Sequence, residues 1–312
     1  MRNKKSMLKL VIFGDPKKEG VNEAIEEFVG FAKDKAEIEK CSIEDLNEVG
    51  DKACSTTAFK TKTSKSKMLN NFDYAIVFGG DGSIISTARC VSKASLPVVG
   101  VNVGKLGFLA EFSVDELEDF FPSLTNGAAQ VEKRMMLNCC IFGDGRQKHR
   151  ALRFCSSAIN DVCITAGPPF RTIELKILVD GQPLAGCVGD GLIVSTPTGS
   201  TAYNLSAGGP ILSPQIEAMV ITPICPHSLS FRSIVIDADS KIEVFGIRVN
   251  DGTTVSIDGQ VSSNLSIDDV VEIRKQDCDF LIVNNPLRSQ WDTLATKLSW
   301  AEKPKYKQTP ID

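Results

Sequence analysis

Along the first 125 or so residues, short apolar runs alternate with segments whose apolar residues recur at helical spacing. Continuous apolar runs predict buried strands, and recurrence every three or four residues predicts amphipathic helices. Their alternation is typical of a parallel sheet with helices on its faces. The predicted strands are residues 8–13, 74–78 and 97–101, and the predicted helices are residues 21–36, 84–94 and 113–121, the last opened by a capping box from Ser113 to Glu116.

From about residue 131 the pattern changes to short apolar runs joined by turn signals. Asp180-Gly181, Asp258-Gly259 and the Gly-Asp-Gly sequence at 143–145 are typical of hairpins. Regularly spaced short strands predict an all-β domain of sandwich or barrel type, and the tail from residue 284 returns to helical spacing. The predicted strands are residues 131–142, 156–165, 172–179, 191–196, 219–222, 233–236, 241–245, 253–257 and 270–274.

Two domains follow from these patterns, an α/β domain and a β-rich domain. The first comprises residues 1–130 together with 284–312, and the second comprises residues 131–283. Within the first, residues 51–71 are rich in Lys, Ser and Thr and lack periodicity, which predicts a surface loop.

Composition narrows the class of protein. The 312 residues carry a formal net charge of −4, which argues against a partner such as nucleic acid or an anionic membrane. The absence of an apolar run of 18 or more residues and of a signal-peptide cleavage pattern leads us to expect a cytoplasmic protein without a membrane partner. Ten cysteines lie scattered without a C-x-x-C pair, so they predict no thiolate metal site. Cys139, Cys140, Cys155, Cys163 and Cys187 lie in apolar runs and are expected to pack as free thiols.

Candidate chemistry begins with Gly79-Gly80-Asp81-Gly82, between a predicted strand and a predicted helix. At the carboxyl end of a parallel strand, glycine N–H groups and a helix N-terminus form a cradle for phosphate. A carboxylate in that cradle points to general-base catalysis or to a Mg²⁺ ligand. The alternative is a tight turn in which Asp81 only favours the start of the helix.

Two further stretches suit ligand recognition. Residues 189–210 run from a strand into hydroxyls, small residues and Tyr203, with apolar residues interleaved, which favours close polar recognition over a simple surface loop. Asn160-Asp161 interrupts an apolar run, where idle polar groups would be costly. The vicinal hydroxyls of a ribose are a natural partner for this pair, and a strand edge or turn is the alternative.

The sequence lacks the motifs of several other enzyme classes. No strand is followed by G-x-G-x-x-G, and residues 100–106 are one residue short of a P-loop and lack its Ser or Thr. The two histidines, His149 and His227, lie in no hydrolase or zinc motif.

Taken in order, these stretches resemble the NAD kinase family. Gly79 to Gly82 is shared with diacylglycerol, sphingoid and phosphofructo-kinases, whereas residues 190–210 and 221–229 look like NAD kinase alone. The similarity extends to residues 256–260 and 294–300. It implies an N-terminal α/β open-sheet domain, a C-terminal β-sandwich domain, and a C-terminal helix that returns to the first domain.

The resemblance implies ATP-dependent phosphorylation of the 2′-hydroxyl of the adenosine ribose of NAD, which gives NADP. Asp81 would be the catalytic proton acceptor, and Mg²⁺ or another divalent cation would accompany ATP. Asp161 stands where Glu is commoner, and Ala110 replaces a frequent Thr. The residues implied to bind NAD are Asp81, Gly82, Phe108, Asn160, Asp161, Arg171, Asp190, Thr201, Ala202, Tyr203, Asn204, Leu205, Ser206 and Gln260, and those implied to bind the ATP phosphates are Gly79, Gly80 and Ser83.

The sequence leaves two alternatives to this function open. One is a diacylglycerol or sphingoid kinase that shares the glycine-carboxylate motif, and the other is a non-catalytic NAD or NADP sensor on the same fold. The resemblance also implies a homodimer or homotetramer.

Overall fold

A computed structural model of the chain describes residues 7–42, 69–104, 107–143 and 151–299. Residues 51–68 of the predicted surface loop, residues 144–145 of one predicted turn, and the tail from residue 300 lie outside the described residues. No helix within the described residues combines the length and the apolar character that crossing a membrane requires.

The first sheet combines four strands from the N-terminal part of the chain with two later strands, in the order β2-β1-β3-β4-β18-β5. Strands β1 to β4 pair in parallel, as the predicted alternation requires. Successive residues of one strand face opposite layers: Ile76 packs into one apolar cluster and Val77 into another. The strands are β1 (Leu8–Gly14), β2 (Ala36–Ser42), β3 (Tyr74–Phe78), β4 (Val98–Val101), β5 (Val131–Arg134) and β18 (Phe280–Val283).

Three helices cover this sheet. Helix α1 (Val21–Ala32) buries an apolar face that includes Phe28, and α3 (Val114–Asn126) begins with the predicted capping box between Ser113 and Glu116. Helix α2 (Asp81–Val91) starts three residues before its predicted beginning, so Asp81 is its first residue.

Most of the described residues between 137 and 275 fold into two six-stranded antiparallel sheets, in the orders β10-β9-β14-β17-β6-β7 and β13-β12-β11-β8-β15-β16. One apolar cluster contains residues of both sheets, such as Leu175 and Val194, so the two sheets form the sandwich. The predicted hairpins at Asp180-Gly181 and Asp258-Gly259 are confirmed. The strands are β6 (Leu137–Gly143), β7 (Ala151–Ala158), β8 (Asp161–Thr165), β9 (Ile173–Val179), β10 (Gln182–Gly189), β11 (Gly191–Ser195), β12 (Ala218–Ile224), β13 (Ile234–Asp237), β14 (Ile242–Arg248), β15 (Thr254–Ile257), β16 (Val261–Asn264) and β17 (Val270–Lys275).

Two predicted strands are wrong because each is divided between two sheets. Residues 131–142 form β5 in the first sheet and β6 in the sandwich, and residues 156–165 form β7 and β8 in opposite layers of the sandwich. The chain crosses between sheets at Met135-Met136 and at Ile159-Asn160. Met135, Met136 and Ile159 are buried, so the apolar pattern runs on without a break where the chain changes sheets.

The first sheet and the sandwich are joined at β5 and β18, which belong to the first sheet although both lie within residues 131–283. After β18 the chain contacts the first domain again: Asn285 Nδ2 donates to the carbonyl of Glu111, and Arg288 Nη2 donates to Glu116. Helix α4 (Gln290–Leu298) follows this contact, in agreement with the helical pattern of the tail.

One cysteine prediction is wrong. Cys140 and Cys155 are register partners on β6 and β7 and form a disulfide, with their Cα atoms 4.1 Å apart. Sequence patterns along one strand carry no information on which residue lies across the sheet. Cys139, Cys163 and Cys187 are buried free thiols, as predicted.

Candidate active site

Asp81 is the first residue of α2 and lies directly beyond the carboxyl end of β3. Its carboxylate accepts three backbone hydrogen bonds: Oδ2 from the N–H of Phe108 at 2.8 Å, and Oδ1 from those of Leu109 at 2.9 Å and Ala110 at 3.1 Å. The donors follow β4, the neighbouring parallel strand. The carboxylate therefore lies in the crevice at the carboxyl ends of two adjacent strands, where open α/β sheets bind ligands.

Gly107 makes this approach possible. A Cβ at residue 107 would lie 1.9 Å from Oδ1 of Asp81, well inside contact distance. Only glycine therefore lets the loop after β4 wrap the carboxylate this closely. Residue 107 was not among the predicted site residues, because its role depends on a residue 26 positions earlier in the chain.

The predicted phosphate cradle is formed by Gly79, Gly80 and Ser83. Gly79 has a φ of +142°, a conformation that favours glycine, and its N–H donates to Val101 at 2.9 Å, which ties the turn to β4. Ser83 is buried, and its Oγ accepts a hydrogen bond of 3.2 Å from Nζ of Lys18, a residue of the β1–α1 loop that no motif singled out. A cation thus lies beside the first turn of α2, next to the glycine turn.

Asn160 and Asp161 lie where the chain enters β8, and their backbone is held by Asp258. Oδ1 of Asp258 accepts from the N–H groups of Asn160 at 2.7 Å and Asp161 at 3.1 Å, and Oδ2 accepts from that of Ile159 at 3.2 Å. Asp258 was predicted only as a hairpin residue. Its side chain fixes the backbone orientation of the Asn160-Asp161 pair.

The Asp161 side chain is a buried acid. Burial, and to a smaller extent the neighbouring charge of Asp258, raise the pKa of Asp161 to about 7. Burial also raises the pKa of Asp258, although its three backbone donors and the charge of Arg89 act in the opposite direction. The site therefore contains one carboxyl group, Asp161, that changes charge near neutral pH.

The loop after β11 packs against Asn160. The carbonyl of Asn160 accepts from the N–H of Thr196 at 2.9 Å, and a Cβ at Gly199 would lie 2.1 Å from that same oxygen. The predicted stretch 189–210 is thereby brought onto the predicted pair Asn160-Asp161.

Tyr203 projects from this loop and is 44% exposed. Burial of part of the ring raises the pKa of its hydroxyl, and the charges of Cys163, Cys225, Asp161 and Asp190 add to that shift. Tyr203 is thus within electrostatic range of the two predicted acids, Asp161 and Asp190. Asp190 itself is exposed, and its carbonyl accepts from the N–H of Ala166 at 2.9 Å.

Asn204 differs from its neighbours because it is fully buried. Its Nδ2 donates to the carbonyls of Ser200 at 3.1 Å and Pro210 at 3.0 Å, and its Oδ1 accepts from the hydroxyl of Thr222 at 2.7 Å. All its polar atoms are thus used inside the chain, where they shape the loop. Thr201, Ala202 and Leu205 are half-buried, and Ser206 is exposed.

Gln260 and Arg171 differ in their described contacts. Gln260 Nε2 donates to the carbonyl of Gly82 at 2.8 Å, so the β15–β16 hairpin touches the first turn of α2. Arg171 lies on the exposed loop after β8, and its described hydrogen bond joins its carbonyl to Asn250 at 2.6 Å. The described contacts bring Gln260, and not Arg171, to the residues around Asp81.

The assembled site has one glycine turn with a cation, one oriented carboxylate, and a polar wall from the sandwich. The turn and the helix N-terminus favour phosphate oxygens, and the carboxylate can orient a hydroxyl and take its proton. Among the described residues, no three His, Cys, Asp or Glu side chains are grouped as ligands for a metal ion.

Comparison with protein families gives two matches that together span most of the chain. Residues 17–129 match the ATP-NAD kinase N-terminal domain, and residues 159–285 match the ATP-NAD kinase C-terminal domain. An NAD kinase of Geobacter sulfurreducens is 41% identical over 233 residues, which are 74% of this chain and 80% of that protein. An NAD kinase of Syntrophotalea carbinolica is 42% identical over 231 residues, 74% of this chain and 79% of that protein.

Two solved structures share the fold. A yeast NADH kinase in complex with NADH aligns with a TM-score of 0.79 at 24% identity, covering 97% of this chain and 90% of that chain. An NAD kinase from Archaeoglobus fulgidus in complex with ATP aligns with a TM-score of 0.69 at 24% identity, covering 94% and 99%. Both have the same arrangement of an α/β domain and a β domain.

Proposed function

The chain belongs to the ATP-NAD kinase family, and from this membership we propose that it transfers the γ-phosphoryl group of ATP to the 2′-hydroxyl of the adenosine ribose of NAD, giving NADP. The observation that carries the proposal is the position of Asp81, which lies between the glycine turn of the α/β domain and the Asn160-Asp161 wall of the sandwich. Both family matches meet at this crevice.

Asp81 acts as the proton acceptor in this proposal. A carboxylate offers about four acceptor positions, and three of those of Asp81 are used by backbone N–H groups. The one left, on Oδ2, is available to the incoming hydroxyl. Phosphoryl transfer has a loose transition state, so an acceptor that orients the hydroxyl and takes its proton late is sufficient.

The triphosphate of ATP is held by the glycine turn. Gly79 shapes the turn, because its own N–H is used by Val101, and Gly80 presents a backbone N–H group. Ser83 and Lys18 add a hydroxyl and a positive charge. Mg²⁺ or another divalent cation fits this site as the partner of ATP, because this ion is commonly held by substrate phosphates together with one or two carboxylates. Its contribution when bound is to neutralise charge on the phosphates.

NAD lies against the sandwich. Asn160 and Asp161 hold ribose hydroxyls, Tyr203 contacts a ring of the dinucleotide, and Gly82, Phe108 and Asp190 border the path between them. Thr201, Ala202, Leu205, Ser206 and Gln260 complete the wall, and Arg171 reaches the ligand from its exposed loop. Asn204 contributes by shaping the loop that carries Tyr203. We place the enzyme in the cytoplasm as a homodimer or homotetramer, as the family resemblance implies.

The alternative functions are not favoured. A diacylglycerol or sphingoid kinase shares only the glycine-carboxylate motif, whereas here residues 159–285 also match the C-terminal domain of the NAD kinases. A non-catalytic sensor would not need a carboxylate oriented at the mouth of the phosphate cradle.

The test is an assay of NADP formation. Purified protein is incubated with ATP, MgCl₂ and NAD, and NADP is followed with an NADP-specific dehydrogenase. NADP should accumulate only when ATP and NAD are both present. If no NADP forms with ATP or with inorganic polyphosphate, the proposal is wrong, and phosphorylation of a diacylglycerol or sphingoid base would favour the lipid-kinase alternative.

A further inference from the structure

Arg89, in the third turn of α2, holds two residues of the β15–β16 hairpin with one guanidinium group. Nη1 donates to Oδ2 of Asp258 at 3.2 Å, and Nη2 donates to Oε1 of Gln260 at 2.5 Å. The partners lie 169 and 171 residues away along the chain. The contact therefore joins the helix of the phosphate cradle to the sandwich.

The ion pair between Arg89 and Asp258 is withdrawn from solvent, whereas Gln260 is exposed. The side chain of Arg89 is 10% exposed and that of Asp258 is 0% exposed. A buried carboxylate needs compensation, and the charge of Arg89 lowers the pKa of Asp258 against the effect of burial. Such a pair is costly to break, because the remaining charge stays buried without a partner.

Both partners of Arg89 lead directly to the reacting groups. Through Asp258, the guanidinium supports the carboxylate that holds the N–H groups of Asn160 and Asp161. Through Gln260, it orients the amide that donates to the carbonyl of Gly82, the residue next to Asp81. The Arg89 side chain thus supports both the surface that receives the ribose and the turn that carries the proton acceptor.

We propose that Arg89 is a positioning residue for the transfer reaction. It sets the distance between the ribose, which the sandwich holds, and two groups of the α/β domain, Asp81 and the phosphate cradle. The inference rests on the proposed function. Its physical basis is that phosphoryl transfer depends on alignment of acceptor and donor, and that a displacement of about 1 Å can cost about 10²-fold in rate.

Residue 89 requires the planar, forked guanidinium group of arginine. A guanidinium reaches two acceptors from two nitrogens at fixed directions, whereas the ammonium of lysine is a single point of charge. R89K should therefore keep the compensation of Asp258 and lose the simultaneous hold on Gln260. R89A should lose both.

The experiment measures kcat and KM for NAD and for ATP in wild type, R89A and R89K, with NAD affinity measured by calorimetry in the absence of ATP. We expect kcat to fall by about 10- to 10²-fold in R89A and less in R89K, while NAD affinity changes by no more than a few-fold. Guanidinium chloride, added to R89A well below denaturing concentrations, should restore part of kcat. R89K keeps the test informative if R89A does not fold.

R153A is the matched control. Arg153 also donates to an aspartate, Asp269, but it lies on β7 in the sandwich and its side chain is 40% exposed. R153A should lose stability without a change in kcat or a response to guanidinium.

Unchanged kcat in R89A and R89K would overturn the inference. A loss of kcat that only follows a loss of stability, and that does not respond to guanidinium, would overturn it as well. A wild-type protein that forms no NADP would instead contradict the proposed function.

Discussion

Gly107 lies against the carboxylate of Asp81 with no room for a side chain, since a Cβ at residue 107 would sit 1.9 Å from Oδ1. The same approach brings the N–H groups of residues 108–110 to hydrogen-bonding distance. The position of the proposed proton acceptor is thus determined by backbone from a second segment of the chain.

Gly107→Ala should displace either the loop or Asp81, because neither backbone nor carboxylate can give way without losing the three hydrogen bonds. We expect kcat to fall at least about 10-fold and the melting temperature to drop. Gly30→Ala in α1 is the control: a Cβ there meets nothing within 4 Å, so activity should stay and stability should rise by about 0.5 to 1 kcal/mol. Full activity in Gly107→Ala would contradict the assigned geometry.

Asp81→Asn should remove the proton acceptor at almost constant size. We expect kcat to fall about 10²-fold or more, the scale of general-base catalysis, while NAD still binds in calorimetry. Asp115→Asn, an exposed acid in the first turn of α3, should keep full activity. Turnover of Asp81→Asn close to that of the wild type would exclude the role of the carboxylate.

Asp161 should make stability depend on pH between about 4 and 7. The folded protein keeps this proton up to about pH 7, because burial raises the pKa of Asp161, whereas the unfolded chain releases it near the ordinary value of 3.8. The folded state therefore binds more protons in this window, and the free energy of unfolding falls as the pH rises through it. Urea denaturation at pH 5 and pH 8 measures the effect.

Asp161→Asn carries no titrating group and should lose this dependence. The free energy of unfolding of Asp161→Asn minus that of the wild type should be larger at pH 8 than at pH 5, by more than about 1 kcal/mol. Parallel pH curves for the two proteins would show that Asp161 is ionised throughout.

Asn204 and Tyr203 are neighbours that should respond in opposite ways. Asn204→Ala leaves the Thr222 hydroxyl and two buried carbonyls without a partner, so we expect a loss of about 2 kcal/mol or more in stability without ligand. Tyr203→Ala changes a half-exposed side chain and should raise the KM for NAD with little effect on the melting temperature. Thermal unfolding and steady-state kinetics on both variants distinguish the roles, and an unchanged melting temperature in Asn204→Ala would contradict the structural role.

The predicted elements are confirmed for several strands of continuous apolar residues. β1, β3 and β4 are central apolar strands that their pattern predicts directly, but β18, which is also central and apolar, was not predicted. β10 and β16 were missed as well: both are edge strands with many exposed residues, β16 is mostly polar, and β10 contains a proline and glycines. Residues 131–142 and 156–165 were each predicted as one strand, since an apolar run looks the same whether it stays in one sheet or crosses into another.

By itself, the sequence determined that Asp81 follows a buried strand and opens a helix, because three glycines and one carboxylate stand between two periodic segments. It also predicted, through residues 160–161 and 189–210, which stretches recognise the ligand. Only the tertiary structure decided what holds these groups: the N–H donors of residues 108–110, the carboxylate of Asp258, and the fork of Arg89. Such partners meet because sheets from different parts of the chain pack together, and no local pattern of residues records that contact.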